Sequence, residues 1–175
     1  MTGHRPSSGK WLAMDDTALL RLRRAALALL IGSILTIGGA FTFQWGLGYV
    51  PCKLCLTERI PYYAAIPLGL LGLVLPERLT RLVLGVAALG LLYGAGLSAY
   101  HAGAEWEFWA GPSDCGGGTG ANPREIGNFL SALQTTRVAD CSVAAWRLFG
   151  ISLAGWNAVI AFALSAVAGT AAAKR

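Results

Sequence analysis

The chain has 175 residues, 55% of them apolar and only 13% charged, with a mean hydropathy of +0.55. That balance excludes an ordinary soluble domain and a disordered chain, and it describes a membrane protein. The net charge of +5 does not point to nucleic acid, because no basic stripe is interleaved with solvent-facing aromatic residues.

Four predominantly apolar segments lie at about 25–43, 60–75, 82–100 and 149–172, and a helix needs about 20 residues to cross a hydrocarbon core. The expected fold is therefore an all-α membrane protein. A cytoplasmic tail, 1–24, precedes a single four-transmembrane-helix bundle over 25–173, with external loops at about 44–59 and 101–148. The second segment is short, and it spans if Arg59 and Arg78 snorkel outward or the bilayer thins. Nine basic residues (Arg5, Lys10, Arg21, Arg23, Arg24, Arg78, Arg81, Lys174, Arg175) fall on one side and five (Lys53, Arg59, Arg124, Arg137, Arg147) on the other. By the positive-inside rule both termini are cytoplasmic. A cleaved signal peptide is the competing reading of the N-terminus, but the first apolar run is too long and no small-x-small site closes it.

The first span closes on the aromatic residues Phe41, Phe43, Trp45 and Tyr49, as expected at a membrane interface. Next comes Pro51-Cys52-Lys53-Leu54-Cys55, followed by Glu58-Arg59. Pro51 suits the first position of a helix, which puts Cys52 and Cys55 in its first turn. A break is expected near Ile60, because Pro61 disfavours a helical residue before it, and Pro67 adds to the difficulty. In the third span Gly90 and Gly94 form a small-x-x-x-small pair suited to close helix contact.

The second external loop is too long to be idle. Trp106, Phe108 and Trp109 mark an interface, and Cys115 sits in a glycine-rich stretch that regular structure does not tolerate. Asn122-Pro123-Arg124-Glu125 then carries the elements of a capping box, and Ile126, Phe129, Leu130 and Leu133 form one apolar stripe. A short amphipathic surface helix is expected there, lying along the membrane or packed on a small external domain. Cys141 follows it, and in the fourth span Asn157 can hydrogen-bond across helices.

All four cysteines lie outside the spans, two in each external loop. Two structural disulfides in a four-helix membrane scaffold are one reading. A Cys-x-x-Cys bridge closes too small a loop to remove much chain entropy, however, and the spacing suits exchange chemistry better. A zinc site is weaker still, since Cys115 and Cys141 do not make a second knuckle, so no metal is expected. Cys55 and Arg59, at i and i+4, share a helix face, which favours a Cys55 thiolate; pairing with Glu58 is the plainer role for Arg59. Cys115, on nearly bare backbone, is open to another protein's thiolate.

These residues, with four spans and internal termini, resemble the DsbB family over nearly the whole chain, residues 25–172. The family comprises quinone-dependent oxidases of the bacterial inner membrane that re-oxidise the periplasmic thiol oxidase DsbA. The resemblance implies a catalytic set of Cys52, Cys55, Cys115 and Cys141. A DsbA-like thiolate attacks Cys115 of a Cys115–Cys141 disulfide, Cys141 attacks Cys52, and Cys55 passes electrons to ubiquinone from the respiratory quinone pool. Menaquinone is the other acceptor of the same chemistry. Cys55, Arg59 and His101 are the implied cofactor-binding residues, His101 also being readable as a plain interfacial histidine. Membrane lipid and a DsbA-like protein are the implied partners. Vitamin K epoxide reductase also resembles the chain in helix number, but its Cys-x-x-Cys lies near the end of the last span.

Overall fold

The computed structural model describes residues 9–111 and 141–174. Helix α1 runs over Gly9–Phe41 and widens into a π-helical turn, Thr42–Gly46. Helix α2 is Lys53–Val74 and α3 is Glu77–Glu105. A hairpin of two short strands, β1 (Arg147–Leu148) and β2 (Ile151–Ser152), leads into α4, Leu153–Ala173. The expected surface helix and Cys115 lie outside the described residues.

Among the described residues, three stretches are long and apolar enough to cross a membrane, Thr17–Gly46, Glu77–Glu105 and Leu153–Ala173. Helix α2 has the length but carries Lys53, Glu58, Arg59 and two prolines, so its apolarity falls short. Helicity also reaches further than hydropathy indicates. The helix begins at Gly9, so the expected tail is helical from there, and α3 continues to Glu105.

The break expected near Ile60 does not occur, for α2 passes through Pro61 and Pro67 without interruption. A neighbouring helix makes room: a Cβ on Gly94 would sit 3.0 Å from the Pro61 ring. Gly94 therefore serves the close contact that its spacing suggested, whereas Gly90 has nothing within 4 Å. A second close approach joins α1 and α2. Cβ atoms on Gly69 and Gly72 would meet Leu30 at 3.0 Å and Ala26 at 2.9 Å, so α1 and α2 touch backbone to backbone.

The core is built from small residues and a few leucines, among them Leu22, Leu29, Leu84, Leu91 and Ala161. At one end, arginines hold the C-terminal carbonyls of α4. Arg21 Nη2 donates to the Lys174 carbonyl at 2.9 Å, and Arg81 Nη1 donates to that of Ala172 at 3.3 Å and to that of Lys174. Such contacts satisfy groups that a helix end leaves unpaired. Arg81 also pairs with Glu77 one turn back, at 2.6 Å. The starts of α1 and α3 and the end of α4 thus share one end of an up-and-down bundle. The thiols sit at the other.

The fourth apolar segment was expected to begin at 149, but a turn intervenes. Phe149 and Gly150 have φ of 51° and 81° between paired Arg147–Ser152 and Leu148–Ile151, the signature of a type I′ hairpin. Ser152 then caps α4, accepting from Gly155 N at 3.2 Å.

Candidate active site

Cys52 is the N-cap of α2, with extended ψ of 171°, and Pro51 lies outside the helix rather than at its first position. The Cys52 sulfur itself accepts the Cys55 backbone N–H, at 3.1 Å. Cys55 Sγ is 2.7 Å from Cys52 Sγ and the two are unbridged. A ring nitrogen of His101, Nε2, faces Cys52 Sγ from 3.7 Å. Donors therefore converge on Cys52. Its thiol is lowered from the ordinary 9.0 to about 4, chiefly by the hydrogen bond from Cys55, with burial opposing and His101 and the Cys55 N–H assisting. The sequence pointed to Cys55 as the favoured thiolate. The helix instead starts two residues later than expected, at Lys53, so its unsatisfied N–H groups serve Cys52.

His101 is only 2% exposed, and it is no interfacial side chain. Its Nδ1 donates to Glu58 Oε1 at 2.7 Å, and that carboxylate is itself 5% exposed. The other Glu58 oxygen accepts from Asn157 Nδ2 at 3.0 Å. Asn157 also donates to Ser98 Oγ at 2.7 Å and accepts from the Tyr62 hydroxyl at 2.7 Å. The expected interhelical role of Asn157 thus holds, and it joins α2, α3 and α4. Glu105, one turn beyond His101, brings Oε1 to 4.0 Å from His101 Nε2.

Arg59 does not pair with Glu58. It donates to Gln44 Oε1 at 2.7 Å and lies over the Phe41 ring, 5.4 Å from its centroid. Phe41 in turn stacks on Trp45 at 4.6 Å. A cavity of about 630 Å³ opens between these groups and the helices, with Cys52, Cys55, Arg59 and Gln44 at its polar end and Leu35, Ile37 and Ile160 on its apolar wall.

Cys141 is 1% exposed and disulfide-bonded, and it shares a buried cluster with Cys52 against Leu54 and Cys55. The structure thus brings together Cys52, Cys55, Arg59, His101 and Cys141. Glu58, Glu105, Gln44 and Asn157 complete the site. Of these, Glu58 was read only as a partner for Arg59. Its position one turn from Cys55 on a helix that continues inward was the available signal for burial with a partner.

A helical membrane protein with an unbridged thiol pair at the mouth of an apolar cavity is a redox class of molecule. The family model described as disulfide bond formation protein DsbB matches residues 22–171, and the chain belongs to that family. Among its relatives, disulfide bond formation protein B of Saccharophagus degradans is 32% identical over 167 residues, 88% of this chain and 95% of that one. The Pasteurella multocida protein of the same name is 30% identical over 152 residues, 83% and 82% of the two chains. That of Actinobacillus pleuropneumoniae is 27% identical over 170 residues, 90% and 85%. No solved structure gave a significant match. The protein is accordingly a disulfide-forming oxidoreductase of the membrane.

Proposed function

We propose that this chain is a thiol:quinone oxidoreductase of a bacterial inner membrane, which re-oxidises a DsbA-like periplasmic dithiol protein and delivers the electrons to ubiquinone or menaquinone. The observation that carries this reading is the cavity, which has the chemistry of a lipid-soluble dione. Its apolar wall suits a ring and isoprenoid tail, while Arg59 and Gln44 offer donors beside Cys55. When bound, the quinone supplies a two-electron acceptor.

The chain's own residues supply the rest. Cys141 is buried against Cys52, a placement that suits passage of a disulfide from a Cys115–Cys141 pair to Cys52–Cys55. In that exchange a partner thiolate attacks Cys115, the Cys115–Cys141 bond breaks, and the Cys141 thiolate attacks a Cys52–Cys55 disulfide. Cys52 then bonds to Cys141 and Cys55 leaves as a thiolate, towards the cavity and Arg59. The partner's second thiol resolves the mixed disulfide and frees Cys115, which attacks Cys141 to restore the Cys115–Cys141 disulfide and release Cys52 as the second reduced sulfur. His101, held by Glu58, stabilises negative charge on Cys52 whenever that sulfur is reduced. The two unbridged thiols also speak against a scaffold stapled by two structural disulfides.

The bundle supports a fourth crossing. Helix α1 and α3 start at the same end, so the chain must return between them through α2, whose 22 residues extend about 33 Å at 1.5 Å per residue. Arg59 and the other charges of α2 gather in its first turns, close to a surface. Termini in the cytoplasm follow from the distribution of arginine and lysine.

The test is direct. Purified protein given a reduced DsbA-like protein and ubiquinone is expected to form quinol, and Cys141→Ser is expected to accumulate a mixed disulfide between Cys115 and the partner. Quinol formation that does not depend on the dithiol protein would sink the reading.

A further inference from the structure

The site holds more metal donors than thiol exchange uses. Cys52 Sγ, Cys55 Sγ and a His101 ring nitrogen lie within 4.8 Å of one another. Sequence spacing hides this set, because the third donor comes 49 residues after Cys52.

His101 is presented in the way metal-binding imidazoles are. Its Nδ1–H is given to the buried Glu58 carboxylate at 2.7 Å, so it is the Nε2 proton that a metal would displace, leaving a lone pair that faces Cys52. Metal-ligating histidines nearly always make that second hydrogen bond, which fixes the tautomer and raises basicity. An independent observation comes from Glu105, which is 8% exposed. Its Oε1 is 4.0 Å from the same Nε2, and its Oε2 is buried with no hydrogen-bond partner among the described residues. A buried acceptor left unpaired is costly, and a cation beside His101 would satisfy it.

We infer that the reduced Cys52–Cys55 pair, His101 and Glu105 form a tetrahedral zinc site. Two thiolates, an imidazole and a carboxylate are a donor set suited to Zn²⁺. Zn–S bonds of about 2.3 Å and Zn–N bonds of about 2.0 Å place sulfur and nitrogen about 3.5 Å apart, and two sulfurs about 3.8 Å apart. Cys52 and His101 already stand at 3.7 Å. The sulfurs, at 2.7 Å, must part, and a change of the half-buried Cys55 rotamer into the cavity does this. Binding replaces the Nε2 proton of His101 and whatever thiol protons remain, which pass to water, and no electrons move. The bound pair can neither close into a disulfide nor attack one, so zinc holds the centre in an inactive reduced form. Oxidation of the pair expels the ion.

This inference needs only the reduced pair and not the identity of the partner or electron acceptor, so either reading can fail without the other. The experiment uses the full chain in detergent, with Cys115 and Cys141 replaced by serine, reduced and kept anaerobic, and cobalt(II) as the probe. The expected result is one cobalt per chain with tetrahedral d–d bands and a thiolate-to-cobalt charge-transfer band, displaced by one equivalent of zinc. The same protein oxidised to the Cys52–Cys55 disulfide binds none. Glu58→Gln, which touches no metal, is expected to weaken binding by about 10–100-fold. His101→Gln and Glu105→Gln are read as well, each against its own helical circular dichroism, so that misfolding of one leaves the other informative. Octahedral cobalt without charge transfer, equal binding by the oxidised protein, or unchanged affinity in the well-folded His101 and Glu105 variants would each overturn the assignment. Quinol formation, measured separately on the unmodified protein, reports on the oxidase reading alone.

Discussion

At the scale of residues, the charge of the thiol pair is decided by one cap. Cys52 stands where serine or aspartate usually caps a helix, and its sulfur takes the N–H that a side-chain oxygen would otherwise accept. Because its value falls from 9.0 to about 4 on folding, the folded reduced protein binds fewer protons than the unfolded one between those limits. Its contribution to stability is therefore complete above about 9, declines as pH falls, and is gone below about 4. In reduced, metal-free protein the ultraviolet thiolate absorbance is expected to persist well below neutral pH and to vanish in Cys52→Ser. A transition at the ordinary thiol value would refute this. Sequence alone located the pair but assigned the thiolate to Cys55. The reason is local: a two-residue difference in where α2 begins changes which sulfur meets the helix N-terminus, and element boundaries are what sequence resolves least well. His101 illustrates the other limit. Its role depends on Glu58 and Asn157, which become neighbours only through the packing of three helices.

At the scale of elements, apolar runs identified the helices but not their ends. Hydropathy follows the lipid-compatible stretch, whereas hydrogen bonding extends α3 beyond it to Glu105 and carries α2 back to Lys53. Pro61 signalled a break that packing against Gly94 makes unnecessary. In a bilayer, neighbouring helices can compensate for the hydrogen bond that proline removes. The contact of α1 with α2 depends in turn on Gly69 and Gly72. Gly69→Leu is expected to force these helices apart and cost about 1–3 kcal/mol, as overpacking does, read as a lower Tm in detergent. An unchanged Tm would show that the contact is dispensable. The hairpin before α4 carries a stored cost of the opposite kind. Phe149 is 89% exposed and has φ of 51°, a conformation that costs most L-residues about 1–2 kcal/mol and asparagine less. Phe149→Asn is expected to raise the Tm, and an equal or lower value contradicts this account.

At the scale of the whole molecule, the bundle divides into an arginine-held end and a thiol end. Reporter fusions or site-directed labelling are expected to place the 76–81 turn and Lys174 on one side of the membrane and Tyr49 and Val143 on the other. Finding the turn at Pro76 on the same side as Tyr49 would mean that α2 does not cross. Charge distribution made this division legible in the sequence, because Arg21, Arg81 and Lys174 belong to the excess on one side. What joins the helices at the thiol end is instead a matter of donor and acceptor order. Asn157 gives its two N–H groups to Glu58 and Ser98 and receives the Tyr62 hydroxyl on its oxygen. An aspartate has the same shape and lacks those protons. Asn157→Asp would set two carboxylates face to face inside the protein, and it should loosen the thiol end far more than Asn157→Ala, despite removing almost no volume. Shape alone would rank these two substitutions the other way, so their order in thermal stability reports whether hydrogen-bond parity or packing keeps three helices in register around His101.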